Sequence, residues 1–144
     1  MESSENKGDI AKYRRGQIAD LEAMMFDLPD QVDLDELTTH HFAPGVYARE
    51  LFIPKGVVLT GKIHKTEHIN IVSQGKIAVA TEDGQKIIEA PCIFVSKPGT
   101  KRAGYALEDT TWITIHVTEE TDLMKIEQQV IATDHGEIEC LGET

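Results

Sequence analysis

The residues with the clearest capacity for chemistry are two histidines in the stretch "TGKIHKTEHINIVSQGKIAV", residues 60–79. His64 and His68 are four positions apart, and Glu67 lies between them. On a helix this spacing would place both imidazoles on one face and would match the H-x-x-E-H pattern of a class of zinc proteases. The flanking residues are β-branched and include glycines, which favours strands over a helix. We therefore predict a strand–turn–strand backbone for the pair, and not a metalloprotease.

The elements that would position these histidines are short apolar runs separated by glycine and proline. Asp83-Gly84 is a strong hairpin signal. About eight short strands at even spacing are typical of a β-sandwich or a small barrel such as a jelly roll. The predicted strands cover 46–53, 57–64, 68–73, 76–81, 85–90, 92–96, 101–106 and 111–118.

The 144 residues suit one domain with additional segments. Apolar residues at helical spacing predict an amphipathic helix over 9–27 and a short helix near the C-terminus, with Thr121 as a candidate N-cap. The predicted organisation is a disordered tail (1–8), an N-terminal helix with an acidic linker (9–39), a β-barrel (40–118), a C-terminal helix (119–131) and an acidic tail (132–144).

Charge and composition restrict the partners. A formal net charge of -11 makes the chain a poor general binder of nucleic acids and of anionic membranes. No apolar run reaches the roughly 20 residues that a membrane helix needs, and the first residues lack a secretory signal pattern. Cys92 and Cys140 form no paired motif, which favours a reducing compartment. We predict a cytoplasmic protein with no nucleic-acid or membrane partner.

The strand–turn–strand stretch resembles the first motif of the cupin superfamily, G-x5-H-x-H-x(3,4)-E-x6-G. Gly56 and Gly75 take the two glycines, with no gap in the spacing. The family's two histidines and its glutamate correspond to Lys62, His64 and His68. The second motif, G-x5-P-x-G-x2-H-x3-N, is matched in part.

In this second motif Gly99 takes the central glycine and Arg102 takes the position of the metal-binding histidine. The resemblance covers roughly 45–118. It implies an all-β, cupin-type jelly-roll barrel with an N-terminal and a short C-terminal helix. The chain also resembles the small single-domain cupin-like proteins that bacteria and their phages encode.

The resemblance further implies a metal site at the mouth of the barrel, but its usual ligands are changed here. His64 and His68 remain able to bind Zn, Ni, Fe or Mn, although two ligands alone rarely form a tight site. His116 would be a third ligand if its side chain points inward. Strand alternation places it on one face of 111–118 without deciding which face is inside. The predicted metal site is therefore His64, His68 and His116.

Two basic residues at the altered positions indicate a different ligand. Lys62 and Arg102 would attract a carboxylate or a phosphate, for which a guanidinium offers a forked donor. Tyr105 either lines the same mouth or packs on a sheet.

Three hypotheses remain open, and the sequence does not decide whether the protein is an enzyme. The first is a small-molecule binding protein for an anionic ligand, lined by Lys62, His64, His68, Arg102 and Tyr105. The second is a metal-dependent cupin enzyme of the isomerase, dioxygenase or lyase type that uses His64 and His68. The third is a structural protein that forms homo-oligomers, in the simplest case a homodimer.

Overall fold

A computed structural model describes residues 33–132, which are mostly β-strand with one short helix. The predicted tail over 1–8, the predicted helix over 9–27 and the acidic tail beyond residue 132 lie outside the described residues. The strands are β1 (Thr38–Ala43), β2 (Val46–Ile53), β3 (Val58–Thr60), β4 (Ile63–His64), β5 (His68–Gln74), β6 (Lys76–Thr81), β7 (Gly84–Glu89), β8 (Cys92–Ser96), β9 (Ala103–Ala106), β10 (Thr110–Val117) and β11 (Ile131–Ala132), and the helix α1 is Leu123–Val130.

The strands form two antiparallel sheets that pack against each other. The larger sheet has the order β1-β2-β10-β5-β8 and the smaller has the order β3-β9-β6-β7, while β11 pairs with β4. The chain passes repeatedly from one sheet to the other, as in a jelly roll. The predicted all-β class is confirmed. The strand pairing of the described residues gives these two sheets and the separate β4–β11 pair, and it does not by itself close a barrel.

An apolar core joins the two sheets at one end of the interior. Alternation along each strand turns every second side chain inward, so both sheets contribute aliphatic residues to the same layer. Each member is 6% exposed or less. Burying one such side chain stabilises the fold by about 1.5–3 kcal/mol, so this layer is the main source of stability. The apolar core consists of Leu51, Ile53, Val72, Ile77, Val79, Ile88 and Ala106.

Glycines form the turns at the positions that carry the cupin resemblance. Gly56, Gly75 and Gly99 have φ angles of 87°, 92° and 86°, in a region that residues with a side chain rarely adopt. At Gly75 a Cβ atom would also lie 2.2 Å from the carbonyl oxygen of Asp109. Backbone geometry therefore requires glycine here, independently of any ligand. This explains why the motif is recognisable although its ligand positions are altered.

The prediction of one strand over 57–64 is wrong. β3 pairs with β9, whereas β4 pairs with β11, so the two halves belong to different sheets. Between them the backbone N–H of Gly61 donates to the carbonyl of Arg102 at 2.8 Å. The chain leaves the smaller sheet at this point, which separates His64 from the strand that precedes it.

The prediction that the first strand begins at residue 46 is also wrong. β1 pairs with β2 in antiparallel register along its whole length. All residues of β1 except Thr38 are exposed. Its sequence, Thr-Thr-His-His-Phe-Ala, therefore shows no alternation of apolar and polar residues that would identify a strand.

The predicted C-terminal helix is confirmed as Leu123–Val130, although Asp122 is its N-cap and not Thr121. The Asp122 carboxylate accepts hydrogen bonds from two backbone N–H groups of the first turn, at 2.9 and 3.2 Å. The apolar face of the helix packs on Tyr47. No helix in the described part of the chain is long and apolar enough to cross a membrane.

Candidate functional site

Three histidines from three strands meet at the end of the interior opposite the apolar core. His64 ends β4, His68 begins β5 and His116 lies near the end of β10. Their ring centroids are 4.2 Å apart for His64 and His68, 5.3 Å for His64 and His116, and 5.2 Å for His68 and His116. Residues 64–68 form a strand, a bend and a strand, without a helical turn. The structure thus brings together the three predicted metal ligands, here called the histidine cluster.

The orientation of His116, which the sequence left open, is inward. Its side chain is 5% exposed, whereas that of Val117, on the opposite face of β10, is 92% exposed. His116 pairs in register with Tyr47 on β2, and the two rings stack at 6.2 Å with an interplanar angle of 14°. The face of β10 that carries His116 is therefore the face that packs against the smaller sheet.

Burial keeps the histidine cluster neutral. Burial lowers the pKa of His64 to about 3 and that of His116 to about 4, and nearby positive charges act in the same direction. Burial also lowers the pKa of His68, although a hydrogen bond with the Thr66 carbonyl opposes this shift. Every charged group that shifts the pKa of His64 is a cation or another histidine. Near neutral pH the cluster therefore presents uncharged imidazoles.

Two ring nitrogens of the histidine cluster have no hydrogen-bond partner. The Nδ1–H of His68 donates to the carbonyl of Thr66 at 3.0 Å, which leaves its Nε2 as an acceptor. This Nε2 is buried and, within the described residues, has no partner, and the same holds for Nδ1 of His116. A buried polar atom without a partner costs about 1–3 kcal/mol. The cluster therefore has unused capacity to bind a donor or a metal.

Arg102 is half-buried close to the histidine cluster. Its guanidinium lies 5.3 Å from the ring centroid of Phe94 and 5.8 Å from that of Trp112, in cation–π contact with both. It donates a hydrogen bond to the hydroxyl of Ser96. Burial lowers the pKa of Arg102. Among the described residues no carboxylate forms an ion pair with it, so its charge is not neutralised by this part of the chain.

A buried polar network fixes the surroundings of Arg102. The indole N–H of Trp112 donates to the side-chain oxygen of Asn70 at 3.0 Å, and the Asn70 amide donates to the Ser96 hydroxyl at 2.7 Å. Asn70 and Ser96 are 1% and 2% exposed. Because each member also contacts a second member, the network holds the Ser96 oxygen in place for the guanidinium.

A second arginine, Arg49, lies on the same inner face of the larger sheet. It falls between the buried residues Tyr47 and Leu51 on β2 and pairs in register with Thr114. Its positive charge lowers the pKa of both His64 and His116. Sequence analysis did not select Arg49, because the cupin motifs lie downstream of β2. Its position between two inward-facing apolar residues is the signal that could have identified it.

Two predicted ligand-binding residues lie away from the cluster. Lys62 is exposed, with 64% of its side chain accessible, and it forms an ion pair with Glu127 of α1. Tyr105 is 45% exposed and pairs in register with Val58 and Ala78 on the outer face of the smaller sheet. The structure therefore groups His64, His68, His116 and Arg102, but neither Lys62 nor Tyr105 with them.

Sequence analysis also missed the contact between His40 and Tyr47. The Nδ1 atom of His40 lies 2.6 Å from the Tyr47 hydroxyl, and this tyrosine is 4% exposed. Burial raises the pKa of Tyr47, which favours the protonated phenol. Tyr47 thus connects His116 to the exposed strand β1. The contact depends on the pairing of β1 with β2, which the sequence did not predict.

No protein-family model and no curated protein matches the chain. Among solved structures, KdgF from Halomonas sp. is 22% identical, with a TM-score of 0.50 over 66% of this chain and 92% of the other. A cupin-2 domain containing protein from Shewanella frigidimarina is 12% identical, with a TM-score of 0.48 over 68% of this chain and 92% of the other. Protein NMB1881 from Neisseria meningitidis is 11% identical, with a TM-score of 0.48 over 68% of this chain and 96% of the other.

At these levels of identity the solved structures inform on the fold and not on the chemistry of the site. The likeness to Halomonas KdgF, with its TM-score of 0.50, agrees with the fold that the resemblance implied. The predicted resemblance to the cupin superfamily is therefore confirmed at the level of the fold, as two packed β-sheets with glycine turns at the motif positions.

Proposed function

We propose that the protein binds a small anion, a carboxylate or a phosphate, at the histidine end of its interior. The observation that carries the proposal is the half-buried guanidinium of Arg102, which no carboxylate of the described residues neutralises. A buried charge without a counter-charge is costly, and a bound anion would compensate it.

The groups around Arg102 suit an oxyanion. The guanidinium offers several N–H donors in a fixed plane, and the Ser96 hydroxyl and the aromatic rings of Phe94 and Trp112 hold that plane in place. Arg49 adds a second positive charge on the same face. The neutral imidazoles of His64 and His116 each carry one N–H that can be offered to the ligand, whereas the free Nε2 of His68 is an acceptor and does not contribute a donor.

Access to the site is through the less buried side of the cluster. His64 and Arg102 are both partly exposed, in contrast to His68 and His116 at 4% and 5%. The loop after β8 is tied to β4, because the N–H of Gly99 donates to the carbonyl of His64 at 2.9 Å. His64 and Arg102 are therefore the members of the site that a ligand from solvent would contact before the buried imidazoles.

Exchanging Arg102 for methionine tests this proposal, because methionine keeps apolar contact with the two rings and removes the charge. We expect inorganic phosphate, succinate or malonate to raise the unfolding temperature of the unaltered chain, with binding measured by calorimetry. Arg102→Met should weaken that binding by at least tenfold. Lys62→Met removes a cation that the sequence had selected but the structure places at the surface, and it should bind as the unaltered chain does.

Two results would contradict the anion proposal. One is the absence of any stabilisation by these anions at millimolar concentration. The other is equal affinity of the Arg102→Met and Lys62→Met variants, because the charge of Arg102 would then contribute nothing specific.

A divalent metal, implied by the cupin resemblance, is a second candidate ligand. Three neutral imidazoles form a suitable donor set, and Nε2 of His68 is buried and unpartnered in the described chain. Imidazoles that share one metal at about 2.0–2.1 Å have ring centroids roughly 5 Å apart. The centroid distances of the cluster, 4.2 to 5.3 Å, are of this size.

The donor atoms are not in place for a metal as the rings stand. Among residues 33–132, no group of three or more His, Cys, Asp or Glu side chains is arranged to hold a metal ion. Binding by His64, His68 and His116 would therefore require rotation of the rings. A bound metal would polarise an oxygen of the substrate as a Lewis acid. Arg102 would then hold the negative charge of that substrate, as in the isomerase, dioxygenase or lyase hypothesis.

Metal analysis of full-length protein purified without a histidine tag separates the two candidates. The metal hypothesis predicts close to one equivalent of Zn, Ni, Fe or Mn, and loss of that metal in His68→Gln. His41→Asn is the control, since His41 is an exposed histidine paired with Glu50. Less than about a tenth of an equivalent, without stabilisation by added metal, would contradict metal binding and leave the anion proposal intact.

A further inference from the structure

A second cation, Lys86, contacts the same aromatic ring that holds Arg102. The Nζ atom of Lys86 lies 5.3 Å from the ring centroid of Phe94, and the guanidinium carbon of Arg102 lies at the same distance from this centroid. The two cationic groups are therefore no more than twice this distance apart. The anion site as proposed above uses Arg102 at this ring and leaves Lys86 without a role.

Lys86 belongs to the inner face of the smaller sheet. On β7 it lies two residues before Ile88, which is 4% exposed, and it pairs in register with Val79, which is 3% exposed. Residues two apart on a strand, and residues paired across two strands, share one face of a sheet. The side chain of Lys86 therefore starts from the face that packs against the larger sheet.

The contact between Lys86 and Phe94 lies where both sheets end. Among the described strands, β7 is an edge strand of the smaller sheet, and β8, which carries Phe94, is an edge strand of the larger sheet. Lys86 is exposed, whereas Arg102 and Phe94 are half-buried. From the solvent inward, the order is thus a lysine, an aromatic ring and an arginine.

Neither cation at this ring has a counter-charge within residues 33–132. The ion pairs of this part of the chain join Lys62 to Glu127 and His41 to Glu50, so they include neither Lys86 nor Arg102. An aromatic face attracts a cation through its quadrupole, but it carries no net charge. Two like charges held at one ring repel each other, and an anionic group next to each of them removes that repulsion.

We propose that the ligand of the site carries two anionic groups joined by a short linker, with Arg102 holding one group and Lys86 the other. This inference rests on the proposed anion site and adds the class of its ligand, of which a short dicarboxylate is the simplest member. The half-buried guanidinium takes the inner group as a forked donor, and the exposed ammonium takes the outer group as a point charge.

Arg49 is less suited to hold the outer group. Arg49 and Phe94 belong to one row of paired residues, but β10 and β5 lie between their strands, so about 14 Å separates their backbones. The charge of Arg49 acts instead on the histidine cluster, where it lowers the pKa of His64 and His116. Lys86 is therefore the cation that shares a ring with Arg102.

A comparison of succinate with monomethyl succinate tests the inference, because the ester keeps the carbon chain and has one negative charge less. Calorimetry on the full-length chain should show tighter binding of succinate. Lys86→Met should weaken succinate binding by about fivefold and leave binding of the ester almost unchanged. Methionine keeps an apolar contact with the ring of Phe94 and removes the charge.

Three further variants are the controls. Lys76→Met removes the same charge from the outer face of the same sheet, where Lys76 pairs in register with Glu89, and it should bind both ligands as the unaltered chain does. Lys86→Arg keeps the charge and should keep the preference for succinate. Arg102→Met should weaken both ligands, because it removes the cation that holds the group they share. Added salt should reduce the preference for succinate.

The outcomes separate this inference from the anion site itself. If neither ligand binds the unaltered chain, the anion site fails and the ligand class fails with it. If both bind and Lys86→Met keeps the preference for succinate, the anion site stands, and Lys86 is only an inward-pointing charge that protects a sheet edge. Equal affinity of the two ligands for the unaltered chain would also overturn the inference. A preference lost in Arg49→Met and kept in Lys86→Met would place the outer group at Arg49 and overturn it as well.

Discussion

Strands β2, β5 and β10 each supply one residue at the apolar core: Leu51, Val72 and Trp112. Four residues away, the same strands supply the surroundings of the histidine cluster: Tyr47, His68 and His116. Both sets face the same interior. The first set packs into a layer of aliphatic side chains joined to the smaller sheet. The second set surrounds polar atoms, two of which have no partner in the described chain.

This difference teaches how the fold divides its tasks. The apolar end supplies the free energy of folding, so the other end can retain groups that are costly to bury. Between the two ends, four residues pair in register across four strands, and all of them except Phe94 are polar. We call them the polar row: Arg49, Thr114, Asn70 and Phe94. The row separates the apolar core from the histidine cluster, so substitutions on either side of it should have different consequences.

The largest effect on stability is expected in the apolar core. Ile53 is 1% exposed, so Ile53→Ala should lower the free energy of unfolding by about 2–5 kcal/mol through lost burial and a remaining cavity. Urea denaturation measures the change. Ile87→Ala, at a 60% exposed position, should change stability by less than about 0.5 kcal/mol. Equal losses in the two variants would mean that stability is not concentrated at the apolar end.

Low pH should lower the stability of the protein through the histidine cluster, at the opposite end of the interior. In the folded chain the pKa of His64 is about 3 and that of His116 about 4, against an ordinary value of 6.5. Below 6.5 the unfolded chain therefore binds more protons than the folded chain, and stability falls as the pH drops from about 6.5 to about 4. The urea midpoint, measured at steps across this range, should decrease continuously.

A variant assigns this acid sensitivity to the cluster. His116→Asn removes one titrating group and should reduce the slope of the midpoint against pH, whereas His41→Asn, on the exposed outer side, should keep it. An unchanged slope in His116→Asn would indicate that carboxylates alone cause the acid sensitivity, and the contrast between the two ends would lose its electrostatic basis.

A smaller loss is expected at the polar row. Asn70→Ala removes the acceptor of the Trp112 indole and a donor to Ser96, so it should cost about 1–3 kcal/mol and weaken anion binding through Arg102. Gln74→Ala, on the same strand at an exposed position, is the control and should be nearly silent. Calorimetry and urea denaturation give the two readouts. A stability loss without any change in anion affinity would separate the network from the site.

The smallest effect is expected at Lys62. Because its ion pair with Glu127 is exposed, Lys62→Ala should cost about 0–1 kcal/mol, and added salt should reduce the difference. Denaturation at low and high ionic strength measures it. A loss above 2 kcal/mol would show that Lys62 contributes to the histidine end after all, and the comparison would have to include α1.

Features that depend on local backbone preference could be predicted from the sequence, whereas features that depend on contacts between distant segments could not. The glycine turns, the strand content, the absence of a helix over 64–68 and the short C-terminal helix were predictable, because local backbone preference determines them. Strand β1 was not, since its exposed, histidine-rich sequence forms a strand only through its ladder with β2. The break between β3 and β4 was missed for a related reason, because it depends on which sheet each half joins.

For the site, the cupin resemblance selected His64, His68 and Arg102, which the structure places at one end of the interior, and Lys62, which it places at the surface. Tyr105, named only as a candidate neighbour of Arg102, also lies elsewhere. The spacing of the motif positions is the same whether a side chain faces the interior or the solvent, so spacing could not separate these residues. Arg49 and Tyr47 complete the surroundings through pairing with β10, a contact between segments about 65 residues apart in the chain.

The amino-acid sequence by itself determined where the backbone must turn and which side chains of each strand share a face, because both follow from the conformational preferences of single residues. Only the tertiary structure decided that His116 faces inward and that Lys62 faces outward. For His116 the physical reason is that a strand has two equivalent faces until one of them is covered by another sheet. For Lys62 it is the break between β3 and β4, which takes this residue out of the strand and toward Glu127 of α1.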